Sequence, residues 1–421
     1  MRILLLSQWY PPEPMKLLSD MTETLQELGH EVTVLTGFPN WPSGKLYPGY
    51  RLRLWQREVQ NGVQIIRVPL FPDHSRSAVR RTLNFLSFAL SATLLGPWLT
   101  RRPDVIHMIH PPITAGLPTL VLSLMWRVPF TMEIQDMWPE NLKATGMVRH
   151  QAALRWVGAF AKLVYRQASA IRVISPGFRR NLLEKGVPDS KVRVISNWVD
   201  TDFYRPLPPD RELAQKLGID GCFTVMYAGT IGMAQGLDVV LDAAALLRDL
   251  PQVQFVLAGD GVESGRLSRV AAERHLANVK FLGRYPGEQM PGLYALADVL
   301  LVHLRDDPLF RITIPHKVFT YLASGKPVLV AGEGDVVDLV ESASAGLTCR
   351  PSDAPALAAV VRSFLEMPAE ARRAMGENGR RAASGSYSRL DLVSKIGRVL
   401  EEAAGVTRVD LDKELGKVAN V

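Results

Sequence analysis

The sequence predicts an α/β protein built from two parallel-sheet domains, and three observations predict it. Residues 2–36 read strand, helix, strand, a βαβ unit whose crossover demands a parallel sheet with ligands at the C-terminal ends of its strands. A second series of the same kind restarts at Phe223, beyond the semi-rigid stretch Pro206-Leu207-Pro208-Pro209. Charge changes there too: residues 1–205 carry 25 Lys and Arg against 15 Asp and Glu, and the remainder carries 24 against 27. The expected domains are therefore 1–205 and 206–385, followed by C-terminal helices over 386–421.

The chain has 421 residues, 47% of them hydrophobic and 22% charged, enough to bury more than one sizeable core in a soluble protein. Its two cysteines, Cys222 and Cys349, are too few and too far apart for a disulfide framework or a zinc site, which points to a reducing compartment. The apolar run from Ile3 to Leu6 is too short for the core of a secretory signal. The basic first half needs an anionic neighbour. Without a helix-turn-helix, zinc or RNA-binding signature, nucleic acid is not the expected partner; an anionic membrane surface or a phosphate-bearing substrate is.

Taken in order, Arg2 to Ser7 reads as a buried strand, Met15 to Leu28 as a helix closed by Gly29, and His30 to Thr36 as the next strand. The segment 37–50 is rich in Pro, Gly and aromatic residues, as an ordered loop at a ligand-bearing sheet edge would be. Residues 83–99 are mostly apolar, with Arg76, Arg80 and Arg81 before them and Arg101 and Arg102 after. Because it contains Asn84, Ser87, Ser91, Thr93 and Gly96-Pro97, this segment is too short and too polar to span roughly 30 Å of hydrocarbon; it reads as a buried helix or one that dips into a membrane surface. Strands over 104–110 and 128–134 follow. Their ends deliver His110, Asp136 and Glu140 to one sheet edge, where α/β folds keep their chemistry, although each also has a structural reading as core histidine, helix cap and surface acid. Segments 171–175 and 191–196 complete the first sheet.

In the second half, Phe223 to Ala228 is a strand that passes into the glycine loop Gly229 to Gly236, a phosphate-binding geometry that lacks the Walker lysine and the dinucleotide spacing. Strands over 253–257, 279–284 and 299–302 follow, and Ala258-Gly259-Asp260-Gly261 reads as a turn. Pro315 then opens a helix of about ten residues that Gly325 closes, before a buried strand over 328–331. His316 and Lys317 stand beside the free N–H groups at the start of that helix, so the segment would cradle a diphosphate; the alternative is a buried crossover with a solvated lysine.

The order of these motifs resembles the two-domain glycosyltransferases of family 4, and within them a bacterial group that builds O-antigen and capsule sugars, N-acetylfucosaminyltransferases among them. The resemblance runs through YPPE (10–13), LGHEVTVLTGFPNWPSGKLYPGY (28–50), PDVIH (103–107), DMWPE (136–140), VISNWVDTDFYRP (194–206), YAGTIGMAQGLDVV (227–240), FVLAGDG (255–261), VKFLGRYP (279–286) and YLASGKPVL (321–329). It implies a GT-B fold, two Rossmann-like domains facing across a cleft. It also implies a retaining transferase that carries a nucleotide sugar, UDP-linked and of the N-acetyl amino sugar kind, in the C-terminal domain.

By the same resemblance Gly232, Gln235, Gly236, His316, Lys317 and Thr320 would serve the diphosphate and sugar, and Arg284 and Tyr285 would give backbone contacts to the base. Glu13 and Trp41 would lie on the acceptor side with Asp136, Glu140 and His110, these last three catalytic. The acceptor implied is a lipid-linked saccharide at the inner face of the cell membrane, with the protein cytoplasmic and peripheral. No metal or other cofactor is expected, since no Asp-x-Asp or His/Cys cluster stands near either loop. The chain departs from the family at Ile312 and Thr320, where glutamates are usual, at Thr230 and Gln235, where Arg and Lys are, and at Gln135, where a histidine is. Two rival readings share the architecture: a nucleotide-sugar 2-epimerase using His110, Asp136 and Glu140, and a non-catalytic nucleotide-sugar binding protein.

Overall fold

The computed structural model describes residues 1–75, 77–144, 148 and 150–405. They form two compact units, one of residues 1–196 with the chain from Arg389 onward, the other of residues 197–388.

The first unit holds β1 (Arg2–Leu6), β2 (Glu31–Gly37), β3 (Gln56–Gln60), β4 (Val63–Val68), β5 (Val105–His110), β6 (Phe130–Ile134), β7 (Ala170–Val173) and β8 (Val192–Val194), in sheet order β3-β4-β2-β1-β5-β6-β7-β8. Every neighbouring pair is parallel except β3 and β4. That hairpin lies in a stretch to which the sequence analysis assigned no element; its turn is Asn61-Gly62, at φ of 49° and 83°, the dipeptide best suited to a two-residue reversal. Its helices are α1 (Lys16–Glu27), α2 (Ala78–Leu99), α3 (Gly116–Trp126), α4 (Glu140–Ala144), α5 (Gln151–Gln167) and α6 (Pro176–Glu184). From β1 to β2 the chain steps one way along the sheet. From β4 through β5 and β6 to β7 it steps the other way, so right-handed crossovers put α1 on one face and α2, α3 and α5 on the opposite face. Those three pack side by side as a layer.

The second unit holds β9 (Phe223–Ala228), β10 (Val253–Ala258), β11 (Val279–Gly283), β12 (Val299–His303), β13 (Val328–Ala331) and β14 (Gly346–Cys349), all parallel, in order β11-β10-β9-β12-β13-β14. Around it run α7 (Arg211–Leu217), α8 (Asp238–Leu246), α9 (Ser264–Glu273), α10 (Met290–Ala295), α11 (Pro308–Arg311), α12 (Lys317–Ala323), α13 (Asp335–Ser342), α14 (Ala354–Glu366) and α15 (Ala369–Ser386). The strands β9, β10, β12 and β13 are buried along their whole length, which is why they read as apolar runs without alternation. Finally α16 (Arg389–Ala404) belongs to the first unit and packs on α1, with Arg389 reaching Asp20 at 3.3 Å and Glu27 at 3.7 Å. The tail expected to continue from it lies, beyond Gly405, outside the described residues.

Three expectations need correction. The second unit begins at Asn197, not at 206, because residues 197–206 are tied into it: Trp198 is buried, Arg380 donates to the carbonyls of Thr201 and Tyr204 at 2.8 Å each, and Pro206 stands against Gly325. The helix after Pro315 has seven residues rather than about ten, since Pro315 and His316 form a turn ahead of it, although Gly325 does adopt the left-handed φ of 68° that ends it. And the apolar helix starts five residues earlier than Leu83. The Ser77 hydroxyl caps it by accepting from the Arg80 N–H, so α2 has 22 residues and is, by length and composition, long and apolar enough to cross a membrane. Arg76, named with the arginines before it, lies outside the described residues.

Candidate active site

Strand order decides where each unit offers a ligand site. In the second unit successive connections run from β9 through β10 to β11 and then jump back past β9 to β12, so the reversal falls between β9 and β12. A crevice forms at the C-terminal ends of such a pair. In the first unit the same reversal falls between β1 and β5.

At the β9–β12 reversal the glycine loop 229–236 is pressed against the turn after β10: a Cβ on Gly259 would lie 1.8 Å from the Gly229 carbonyl oxygen, so only glycine fits there. Below Gly229 lies the Lys317 ammonium, 3.6 Å from the centre of the Tyr227 ring and buried, with no hydrogen-bond partner among the described residues. Burial pushes its pKa down to about 7. A buried cation held only by a ring face is costly to the free protein, and an arriving anion relieves that cost. His303, at the end of β12, bonds through Nδ1 to the Gln235 carbonyl at 2.6 Å, and burial holds it near 4, a neutral ring that fixes the loop. The Gln235 side chain accepts from the Gly232 N–H at 3.0 Å, and Tyr321 brackets Ala228, accepting from its N–H at 2.9 Å and donating to its carbonyl at 3.0 Å.

At the β1–β5 reversal of the first unit, loops after β1, β2, β5 and β6 meet. Both oxygens of Glu13, which is buried, are taken by backbone: Oε2 accepts from Tyr10 at 3.0 Å, and Oε1 accepts from Asn40 at 2.9 Å and Trp41 at 2.8 Å. Desolvation still pushes this carboxyl up to about 7 against those bonds. A row of rings crosses the edge from Trp41 through Trp9, Phe85 and Trp138 to His110, with centroids 6.1, 6.2, 5.9 and 5.5 Å apart. His110 is wholly buried, pushed down to about 3, and its ring nitrogens make no hydrogen bond of normal geometry among the described residues. Asp136, half-buried, is pushed up to about 6 by desolvation, opposed by a hydrogen bond from Asn141. Glu140 pairs with Lys185 at 2.6 Å.

Residues 17–198 match the model of the glycosyl transferase 4-like domain, and residues 210–382 match that of the glycosyl transferases group 1. The chain is a GT-B glycosyltransferase. Over 386 residues it is 27% identical to WcaI of Escherichia coli strain K12, named for a glycosyl transfer step of colanic acid biosynthesis, covering 87% of this chain and 93% of that one. It is 33% identical over 196 residues to the alpha-galactosylglucosyldiacylglycerol synthase of Streptococcus pneumoniae, 44% of this chain and 48% of the other. Its fold matches that of HepE of Anabaena, solved with UDP-glucose, with a TM-score of 0.72 at 20% identity over 96% of this chain and 100% of that one. Glycosyl transfer from a nucleotide-sugar donor is its reaction.

In this glycosyltransferase the expected site residues fall into two groups, one per unit. Gly232, Gln235, Gly236 and Lys317 gather at the β9–β12 reversal. Thr320 is buried one turn along α12, where its hydroxyl donates to the Lys317 carbonyl at 2.9 Å. His316 is exposed and bonds the Trp198 carbonyl at 3.1 Å, while Arg284 and Tyr285 follow β11, with Arg284 drawn to Asp260. His110, Asp136 and Glu140 do share an edge, the Gln135 N–H donating to the His110 carbonyl at 2.9 Å. Glu13 serves the backbone, and Trp41, half-buried, packs between Trp9 and His74 at the end of the ring row. Tyr227, His303, Tyr321 and the ring row were not read as site residues from the sequence. The tyrosines could have been found, since YAGT and TYLA put them beside named residues, but Trp9 and Trp138 come from two separate loops and Phe85 from α2. Among the described residues no group of three His, Cys, Asp or Glu could hold a metal ion.

Proposed function

We propose that this enzyme moves an N-acetyl amino sugar from a UDP-linked donor to a lipid-linked saccharide, with retention at the anomeric carbon, in the synthesis of a surface polysaccharide at the inner face of the cell membrane. The observation that carries the donor half is Lys317, a buried ammonium with no hydrogen-bond partner among the described residues, below a glycine loop at the strand-order reversal. In transfer the diphosphate is the leaving group. A cation already desolvated beside it stabilises the charge that develops as the glycosidic bond breaks, without a metal ion.

The acceptor half is supported by relatives named for colanic acid and for a glycosylated diacylglycerol, and by the outer face of the first unit. One side of α2 is buried through Asn84, Phe88, Ala89, Ala92 and Gly96. The other exposes Leu83, Leu86, Leu90, Leu94 at 69% and Trp98 at 85%, with Arg80, Arg81, Arg101 and Arg102 at its ends. An apolar stripe bounded by arginines suits reversible attachment to an anionic leaflet. A thermal-shift screen of UDP-, GDP- and ADP-sugars tests the donor half: stabilisation by UDP-N-acetyl sugars above the others is expected, and unchanged when EDTA is present. Stabilisation only with added Mg²⁺ would count against a metal-free diphosphate site.

A further inference from the structure

The first unit holds a cavity of about 510 Å³ between the turn Trp138–Glu140, α5 and the end of α6. Its walls are apolar, from Trp138, Pro139, Leu154, Gly158 and Ala161. Tyr165 also lines it; that side chain is almost wholly buried, and its hydroxyl has no hydrogen-bond partner among the described residues. A buried phenol normally finds one, so a ligand that brings an acceptor gains a donor already desolvated. Glu140 and Lys185 pair here at 2.6 Å, and Arg155 and Lys162 reach in from α5, so three cations face one carboxylate.

Helix geometry locates the opening. Arg155 and Lys162 are seven residues apart and lie on one stripe of α5; Trp156 and Leu163, each one position further, lie on the adjacent stripe about 100° around the helix. Trp156 is 77% exposed and Leu163 is exposed as well. The cavity therefore borders the same apolar outer layer that Leu124, at 81%, and Met125 extend across α3 and that α2 continues.

From this we infer that the cavity binds a single apolar chain ending in a phosphate. The phosphate draws on Lys185, Arg155 and Lys162 and accepts from the Tyr165 hydroxyl, and the chain follows the apolar wall toward the outer layer. An uncharged sugar would leave the excess cations unanswered, and a free phosphate would leave the apolar walls bare. The inference rests on the lipid-linked acceptor reading and names the part of the acceptor held here, its phosphate-proximal chain.

Dodecyl phosphate, kept below its micelle concentration, tests it against inorganic phosphate and dodecyl maltoside, with calorimetry and Trp138 fluorescence as readouts on the full chain. Saturable binding of dodecyl phosphate alone is expected, weakened about tenfold by Arg155→Glu with Lys162→Glu. Gly158→Leu fills the cavity while raising helix propensity, so it should abolish this binding without unfolding α5. Equal affinity in Gly158→Leu, or competition by inorganic phosphate at similar concentration, overturns the inference. The acceptor reading fails separately, if soluble saccharides are glycosylated as well as lipid-linked ones by the unaltered enzyme.

Discussion

The two units are made by the same rule, parallel strands with crossover helices and a reversal of strand order, yet they treat their charges in opposite ways. At the first unit's edge the acids are engaged. Glu13 holds three backbone N–H groups and Glu140 holds Lys185; and although burial works against ionisation, Arg172, His107 and Gln135 keep the Glu133 carboxylate down to about 2. At the second unit's edge Lys317 has, among the described residues, an aromatic face and no hydrogen-bond partner. A satisfied buried charge builds a scaffold, whereas an unsatisfied one stores an interaction for a ligand. So the second unit's edge is marked by a buried charge without a hydrogen-bond partner among the described residues, and the first unit's edge by rings and an apolar surface.

The sharpest way to break this contrast is to empty the scaffold. Glu13→Ala would strand the N–H groups of Tyr10, Asn40 and Trp41 and release the loops after β1 and β2 from each other. A loss of about 3 kcal/mol of stability is expected, near the upper end for a single buried polar group, read by urea unfolding. A change under about 0.5 kcal/mol, the range of an ordinary surface substitution, would mean that Glu13 is free to act on a substrate instead.

Lys317→Met does the reverse. Affinity for the UDP-sugar should fall about ten- to a hundredfold, the value of a charge-assisted contact. The ligand-free protein should melt higher, because a buried cation gives way to an apolar chain of similar length. The unaltered enzyme supplies the pH test. Free Lys317 titrates near 7, and a bound diphosphate raises that value, so binding takes up a proton above pH 7. Affinity should thus be full below pH 7 and fall as pH rises through 7 to 9, a slope that Lys317→Met abolishes. Flat affinity over that window would remove Lys317 from the diphosphate.

Much of this was legible in the sequence, and the failures have physical causes. The two βα series, their parallel sheets and the placing of His110 beside Asp136 follow from apolar runs and turn residues, which act locally. The hairpin over 56–68 escaped because Arg57, Glu58 and Arg67 look like surface positions, whereas Arg67 is buried by its pair with Glu58. Strand order is set by long-range pairing, so the reversal points could not be read, nor could the contact of Lys317 with Tyr227, 90 residues earlier in the chain. The linker was misplaced because prolines mark stiffness, not the absence of contacts, and residues 197–206 are stiff and packed at once.

A smaller effect is expected on the outer face. Arg101→Glu with Arg102→Glu should cost about 1 kcal/mol per lost positive charge, or more with the reversal, in binding to anionic liposomes at low salt. Trp98→Ala should weaken attachment at low and high salt alike, since an indole at 85% exposure contributes through apolar burial, which salt does not screen. Sedimentation in which neither variant differs from the unaltered protein, or in which the protein never pellets, would detach α2 from the membrane and leave donor binding untouched.

The smallest effect belongs to Thr320, one of the two positions where the family carries glutamate. Its side chain is buried and its hydroxyl is engaged, donating three residues back to the Lys317 carbonyl, while the Thr320 carbonyl accepts from the Ser324 hydroxyl at 2.7 Å. Both bonds stay within α12 and the Ser324 cap that ends it, and compete with helix backbone bonds rather than adding a ligand contact. Thr320→Val keeps the shape and removes only the hydroxyl, so UDP-sugar affinity should change by less than about threefold and stability by less than about 1 kcal/mol. This variant separates two accounts of the missing glutamate. If Thr320 merely fills the space under the glycine loop, donor affinity rests on Lys317 and the loop alone, and Thr320→Val binds as the unaltered enzyme does. A tenfold loss would instead mean that the hydroxyl turns toward the donor when it binds, in place of the longer side chain.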